Sequence, residues 1–225
     1  MLRASGETIE GPGASDLFDV FLDDHGDLVM VVLDVRSSAE ASSGFLNAAM
    51  SQTRAALEAH EPLHAVVSEL ELQLAARPGV EAGLVILRFS QAEGRVEVLN
   101  AGMPAVANAL PGGGLNVHPA LSNPVGRRVG EVHPYELVPL IWGGVWLSVS
   151  DGMTNGSLET DSVRELCAKL DLRARGMALA STSGDELYDT LLDLLPAARF
   201  VRDDVTCVVV GADPDARFQS GIHSH

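Results

Sequence analysis

The chain has 225 residues, 46% hydrophobic and 20% charged, a length and balance that suit one soluble domain with a full core and exclude a disordered or disulfide-stapled chain. Fifteen Lys and Arg face 31 Asp and Glu, a net charge of −16, and the single lysine, Lys169, leaves nucleic-acid binding without its electrostatic footprint. No apolar run reaches the roughly 18 residues of a membrane span and the N-terminus carries no apolar signal region, so a cytoplasmic protein with neither membrane nor nucleic acid as partner is expected.

Residues 17–22 predict a short strand, which the turn Asp24-His25-Gly26 joins as a hairpin to a second strand over residues 28–35 (LVMVVLDV). Ser37, with Glu40 three positions on, reads as a capping box that opens a helix over residues 39–59 with a small apolar face of Ala41, Phe45, Ala48, Ala49 and Met50. Pro62 separates it from a second helix whose Leu63, Val66, Val67, Leu70 and Leu74 recur at helical spacing until Arg77-Pro78-Gly79, and the two predict an antiparallel helical hairpin. Strands over residues 83–89 and 95–99 form another hairpin through Glu93-Gly94. Residues 111–114 read as a Gly-rich hairpin tip and residues 122–130 as a polar loop with two arginines.

A strand follows over residues 145–149, where Trp142 to Trp146 form either an exposed aromatic patch or core and sheet-edge packing. Val163, Leu166 and Leu170 mark one helix, Ser183 with Glu186 caps another ending at Pro196, and residues 205–210 form the last strand. The strands are nearly continuous in hydrophobicity, which argues for cover on both faces, and the element order gives an α+β class with mostly antiparallel pairing. Cys167 and Cys207 lie in apolar runs and read as buried free thiols. The domain is expected to span residues 1–212, followed by a flexible polar tail over residues 213–225.

The chemistry is signalled where acids meet strand ends. Asp34 lies near the end of LVMVVLDV, Asp151 follows VWLSVS, Asp203 and Asp204 precede VTCVVV, and Asp16 precedes LFDVFL. Carboxylates at the ends of apolar strands are either solvated turn caps or partners of a cation, and several converging on one sheet edge repel unless a hard divalent ion neutralises them. All-oxygen ligation favours Mg²⁺ or Mn²⁺. Asp19, Asp23, Asp24 and Asp27 read as turn aspartates, and the histidines as solvated side chains, with general-acid work as the alternative for the latter. No GxSxG, P-loop or CxxC pattern offers a rival chemistry.

In order, Gly13 to Val20, Leu33-Asp34-Val35, Asn100-Ala101-Gly102-Met103-Pro104, Asn123-Pro124-Val125-Gly126, Ser150-Asp151-Gly152-Met153-Thr154 and Asp203-Asp204-Val205-Thr206 resemble the metal-dependent Ser/Thr protein phosphatases of the PPM (type 2C) family, more closely their SpoIIE-type bacterial branch. The resemblance spans nearly the whole chain. It implies a four-layer αββα sandwich, two antiparallel sheets flanked by helices, with a centre of two Mn²⁺ or Mg²⁺ ions. Asp16, Asp34, Asp151 and Asp203 would hold the metals as the catalytic carboxylates, with the Val35 carbonyl, and with Asp204 ranked second. Metal-activated water would attack phosphoserine or phosphothreonine on a regulatory protein, an anti-sigma antagonist or a STAS-type stressosome partner.

The chain departs from the branch at Ala14-Ser15, where two glycines are usual, at Arg36-Ser37-Ser38-Ala39, which lacks the branch's glycines, and at Met103, where histidine is common. Arg36 is either an exposed arginine ahead of a helix or a planar fork that binds the substrate phosphate. The altered loop also admits a different class of function, a sandwich that has lost catalysis and captures a phosphoprotein. Because the likeness starts near residue 10, a stand-alone domain regulated by a partner is expected.

Overall fold

The computed structural model describes residues 1–10, 15–37, 43–154, 156–194 and 204–214. Among these residues ten strands run in chain order: β1 (Leu2–Ile9), β2 (Asp16–Leu22), β3 (Leu28–Ser37), β4 (Val80–Ser90), β5 (Arg95–Ala101), β6 (Val106–Ala109), β7 (Leu115–His118), β8 (Tyr135–Pro139), β9 (Val145–Val149) and β10 (Val205–Ala212). The helices are α1 (Ser43–Glu58), α2 (Leu63–Ala75), α3 (Thr160–Lys169), α4 (Leu172–Leu179) and α5 (Gly184–Leu194), with a short 3-10 turn at Asp151–Thr154. One sheet has the order β1-β10-β9-β6-β7, the other β2-β3-β4-β5-β8, and every pairing within them is antiparallel.

Alternation along the strands builds three cores. On β3, Val29, Val31, Leu33 and Val35 face α1 and α2, whereas Met30 and Val32 face the opposite sheet. On β10, Val205, Cys207 and Val209 face α3–α5, whereas Val208 and Val210 point between the sheets. Each central strand is therefore covered on both faces, which is why its sequence reads as an unbroken apolar run. The result is the expected αββα sandwich.

The second helix buries Leu63, Val66, Val67, Leu70 and Leu74, the face its spacing predicts. The last helix is capped as expected, with the Glu186 amide donating to Ser183 Oγ at 3.4 Å. The first helix begins at Ser43, and Glu40 of the expected capping box lies outside the described residues, as do residues 215–225 of the tail. Both cysteines are buried and free, and burial pushes the Cys167 thiol up to about 11 and the Cys207 thiol up to about 12.

Trp146 is core, not surface: it is 1% exposed, meets Phe89 edge-on at 5.8 Å and carries the His118 ring stacked at 5.4 Å. The histidines are likewise more engaged than the sequence indicates. His133 is buried with Nδ1 2.8 Å from Ser122 Oγ, and His118 Nδ1 lies 2.7 Å from Glu136 Oε2. His60 adopts a left-handed φ of 55° just past α1, where its Nδ1 meets Asp23 Oδ2 at 2.6 Å.

Candidate active site

The alternation that fills the inter-sheet core also delivers the acids to its end. Phe18 and Val20 on β2 point between the sheets, so Asp16 at the head of that strand does too; Met30 and Val32 on β3 do the same for Asp34 and then Arg36. Asp16 and Asp34 are direct partners across the β2–β3 ladder, 7% and 3% exposed. Ser150 after β9 and Asp204 before β10 share the inward phase of Trp146 and Val208, and both are buried. Asp151 follows Ser150 in the 3-10 turn and is partly buried. Among the described residues, Asp16, Asp34, Asp151 and Asp204 are thus brought to one end of the sandwich, and Asp203 lies outside them.

Each carboxylate has a distinct environment. Asp204 Oδ2 accepts hydrogen bonds from the Ser15 and Asp16 amides, the latter at 3.0 Å, and so fixes the point where β2 begins. The Ser150 and Thr206 hydroxyls face the Asp16 carboxyl and favour its charged form, yet its Oδ2 is buried with no hydrogen-bond partner among the described residues. Burial, with the Asp34 charge alongside, pushes the Asp16 carboxyl up to about 8. Asp34 and Asp151 share a cation: Arg36 Nη2 lies 2.8 Å from Asp34 Oδ2 and 2.8 Å from Asp151 Oδ2, and Arg36 Nε donates to Asp34 Oδ2 at 2.9 Å. Those acids keep the guanidinium firmly charged against its burial. Val35 is buried on the helix side, and its amide donates to the Ser15 carbonyl at 3.0 Å.

Ser150 and Thr206 are contributors that the sequence pattern alone does not reveal. Ser150 Oγ accepts from the Thr206 amide at 2.9 Å, and the Ser150 amide donates to the Thr206 carbonyl at 3.0 Å, which clamps the end of β9 to β10 behind Asp16. Gly152 is required by close approach: a Cβ there would stand 2.0 Å from the Asp204 carbonyl oxygen. Gly152→Ala is expected to lower the unfolding midpoint by the equivalent of about 1–3 kcal/mol in a urea titration, because backbone rather than a flexible side chain must move.

The Asn-Ala-Gly-Met-Pro segment is a structural turn. Asn100 Oδ1 accepts from the Met103 amide at 3.1 Å and its Nδ2 donates to the Pro104 carbonyl at 2.9 Å. Gly102 sits at φ 70° against Pro124, so the second loop motif docks on the first. Met103 is fully buried over Gly83, the strand partner of Asp34, where it closes the core beneath the acids.

A second acidic cluster, Asp23, Asp27 and His60, lies at the far, hairpin end of β2 and β3 beside a cavity of about 180 Å³ lined in part by Arg88 and Ser90. Its chemistry is that of a turn cap. Asp23 Oδ1 accepts from the His25 and Asp27 amides at 3.0 and 2.9 Å, and Arg88 Nε stands 3.8 Å from Asp23 Oδ2.

The donors at the Asp16 end fit hard divalent ions. They are all oxygen, Asp16 Oδ2 is buried with no hydrogen-bond partner among the described residues, and a guanidinium already lies between two of the carboxylates. No helix among the described residues is long and apolar enough to cross a membrane.

Comparison with known proteins agrees with this architecture. No curated protein sequence matches the chain. Similar solved structures include the RsbU and RsbW domains of Rv1364c from Mycobacterium tuberculosis, at 20% identity and a TM-score of 0.70 over 95% of this chain and 60% of that one. The PP2C phosphatase domain of SpoIIE from Bacillus subtilis, solved with a fragment of its regulatory domain, aligns at 15% identity and a TM-score of 0.71 over 94% of this chain and 62% of that one. The catalytic domain of the serine/threonine protein phosphatase PstP, in complex with two manganese ions, aligns at 17% identity and a TM-score of 0.68 over 94% of this chain and 98% of that one. The chain thus spans about 60% of the length of the first two. The sequence model of the Stage II sporulation protein E (SpoIIE) family matches residues 24–213, and on that match the chain belongs to the SpoIIE family.

Proposed function

We propose that this protein is a metal-dependent serine/threonine phosphatase acting on a phosphorylated regulatory protein, with Asp16, Asp34 and Asp151 as the carboxylates of a centre for two Mn²⁺ or Mg²⁺ ions. The observation that carries the reading is the convergence of three carboxylates from β2, β3 and the turn after β9 at one end of the sandwich, where Asp16 lies opposite Asp34 and one guanidinium bridges Asp34 and Asp151. The Val35 carbonyl and Asp203 complete the proposed donor set. Asp204 is at the same end, and its hydrogen bonds to the Ser15 and Asp16 amides make orientation of Asp16 its principal task.

When bound, divalent cations supply Lewis acidity and lower the pKa of water. The chain's own residues do the rest. Ser150 and Thr206 orient Asp16, Gly152 lets the Asp151 turn pack against the Asp204 backbone, and Met103 and Gly83 close the floor against the core. Arg36, 30% exposed at the mouth, has the reach and the planar fork to take the oxygens of a phosphate monoester. With a surface as acidic as net −16, such a localised cation is what an anionic substrate needs.

The proposed substrate class is a phosphorylated protein of a bacterial regulatory system, a setting that a similar structure described under the bacterial stressosome supports. The RsbU domain of Rv1364c and SpoIIE, described as a cell fate determinant, are among the similar structures, which supports an anti-sigma antagonist or STAS-type stressosome protein bearing phosphoserine or phosphothreonine. The test is hydrolysis of p-nitrophenyl phosphate and of a phosphoserine peptide with and without Mn²⁺, beside an Asp151→Asn variant. Turnover that needs Mn²⁺ and falls at least about a hundredfold in the variant is expected. Mn²⁺-independent turnover, or an Asp151→Asn enzyme as active as its parent, overturns the assignment.

A further inference from the structure

Arg36 is placed by strand phase and not by chance contact. It stands two residues beyond Asp34 on β3, so both side chains leave the same face and the guanidinium folds back onto its neighbour's carboxylate. The same Nη2 reaches Asp151, 115 positions away in sequence, at 2.8 Å. Glu81, the strand partner of Arg36 across β4, adds a third negative charge beside it. One planar cation therefore bridges two acids whose oxygens the proposed metal centre needs.

We propose that Arg36 is an internal counter-cation: in the metal-free protein it holds Asp34 and Asp151 together, and it competes with one of the divalent ions for their oxygens. The inference rests on the metal centre proposed above. Two cations cannot occupy the same oxygen edge, so an ion that coordinates Asp34 and Asp151 there must first displace the guanidinium. The apparent affinity for that ion is then the intrinsic affinity scaled by the fraction of molecules in which Arg36 has swung away. Release also frees the fork for an anionic group, which couples metal occupancy to phosphate binding through one side chain. The acids need a positive partner in either state, and the chain provides one that is tethered and replaceable.

The test is Mn²⁺ binding by calorimetry in phosphate-free buffer, together with thermal unfolding in chelator and in saturating Mn²⁺, for the parent, Arg36→Gln and Arg36→Lys. Arg36→Gln is expected to bind Mn²⁺ at least about tenfold more tightly at one site, because no guanidinium has to leave. In chelator the same variant is expected to melt about 5 °C lower, because the acids lose their counter-charge, and the order reverses in Mn²⁺. Arg36→Lys keeps the charge without the planar fork and is expected to lie between the two. A role confined to the substrate phosphate leaves the phosphate-free Mn²⁺ isotherm unchanged, and that outcome overturns the proposal while leaving the metal centre standing. If Arg36→Gln does not fold, a parental Mn²⁺ affinity in Arg36→Lys overturns it. Absence of Mn²⁺ binding in all three proteins overturns the metal centre and this proposal together.

Discussion

Asp34→Asn is expected to weaken Mn²⁺ binding by more than about a hundredfold and to lower kcat/KM by more than about a thousandfold, some 4 kcal/mol of transition-state stabilisation, while leaving the fold intact. Asp34 occupies the centre of the arrangement. It is 3% exposed on the second strand of its sheet, directly opposite Asp16, and one of its oxygens already accepts two contacts from Arg36. An asparagine fills the same space and keeps one carbonyl oxygen, so the packing over Gly83 and Met103 is preserved, but it has no charge to offer a hard cation. The variant therefore separates the chemistry of the site from its architecture. Calorimetry with Mn²⁺, assay of a phosphoserine peptide and a thermal melt on one preparation check the three parts. A variant that keeps its Mn²⁺ affinity removes Asp34 from the ligand set. One that loses both Mn²⁺ and its cooperative melt shows that Asp34 serves the fold instead.

The central strands were legible because burial on both faces leaves a mark that no loop or surface helix imitates. LVMVVLDV and VTCVVV each supply alternate residues to a helix-facing core and to the inter-sheet core, so every position must be apolar until the strand reaches the rim. The first acid after such a run is for that reason informative, and Asp34 stood out. Of the edge strands, β2 was legible through its hairpin with β3, but β1 and β8 were not. β1, with Ser5, Gly6 and Glu7 in its middle, is held by its backbone ladder to β10. Its Gly6 is dictated by a tertiary neighbour, since a Cβ there would stand 2.4 Å from the Phe18 ring. β8 carries Tyr135 and Leu137 outward and ends in Pro139, the composition of an edge. The polar partners were hidden for another reason. Ser150 and Thr206 acquire their roles only when two strands distant in sequence dock side by side, and the Arg36–Asp151 contact exists only when the β2–β3 hairpin faces the turn after β9. Spacing along one segment carries no trace of either. The resemblance to a known family singled out the acids proposed as ligands, whereas the reason that Arg36 lies among them belongs to the packing.

Asp16→Asn is expected to stabilise the metal-free protein, increasingly so as the pH rises, while depriving it of metal affinity. The Asp16 carboxyl titrates near 8 in the folded chain against 3.8 for an unperturbed group, because burial and Asp34 both oppose its charge. Between those two values the unfolded chain has released the proton and the folded chain has kept it, so the native state binds more protons and stability must fall as the pH rises. The loss begins near pH 4, is complete above about pH 8, and is of the order of a few kcal/mol. Asparagine never ionises and escapes it, so urea midpoints of parent and variant in chelator should agree near pH 4 and diverge steadily toward pH 8. Midpoints that remain parallel across this range would show that the Asp16 carboxyl is not held in the proposed environment. Added Mn²⁺ should invert the ranking at pH 8, since an ionised Asp16 is then the better partner and only the parent gains from it. An acid that weakens the empty fold and strengthens the loaded one has a reason to be kept that packing does not supply, which separates a working centre from the relic of one.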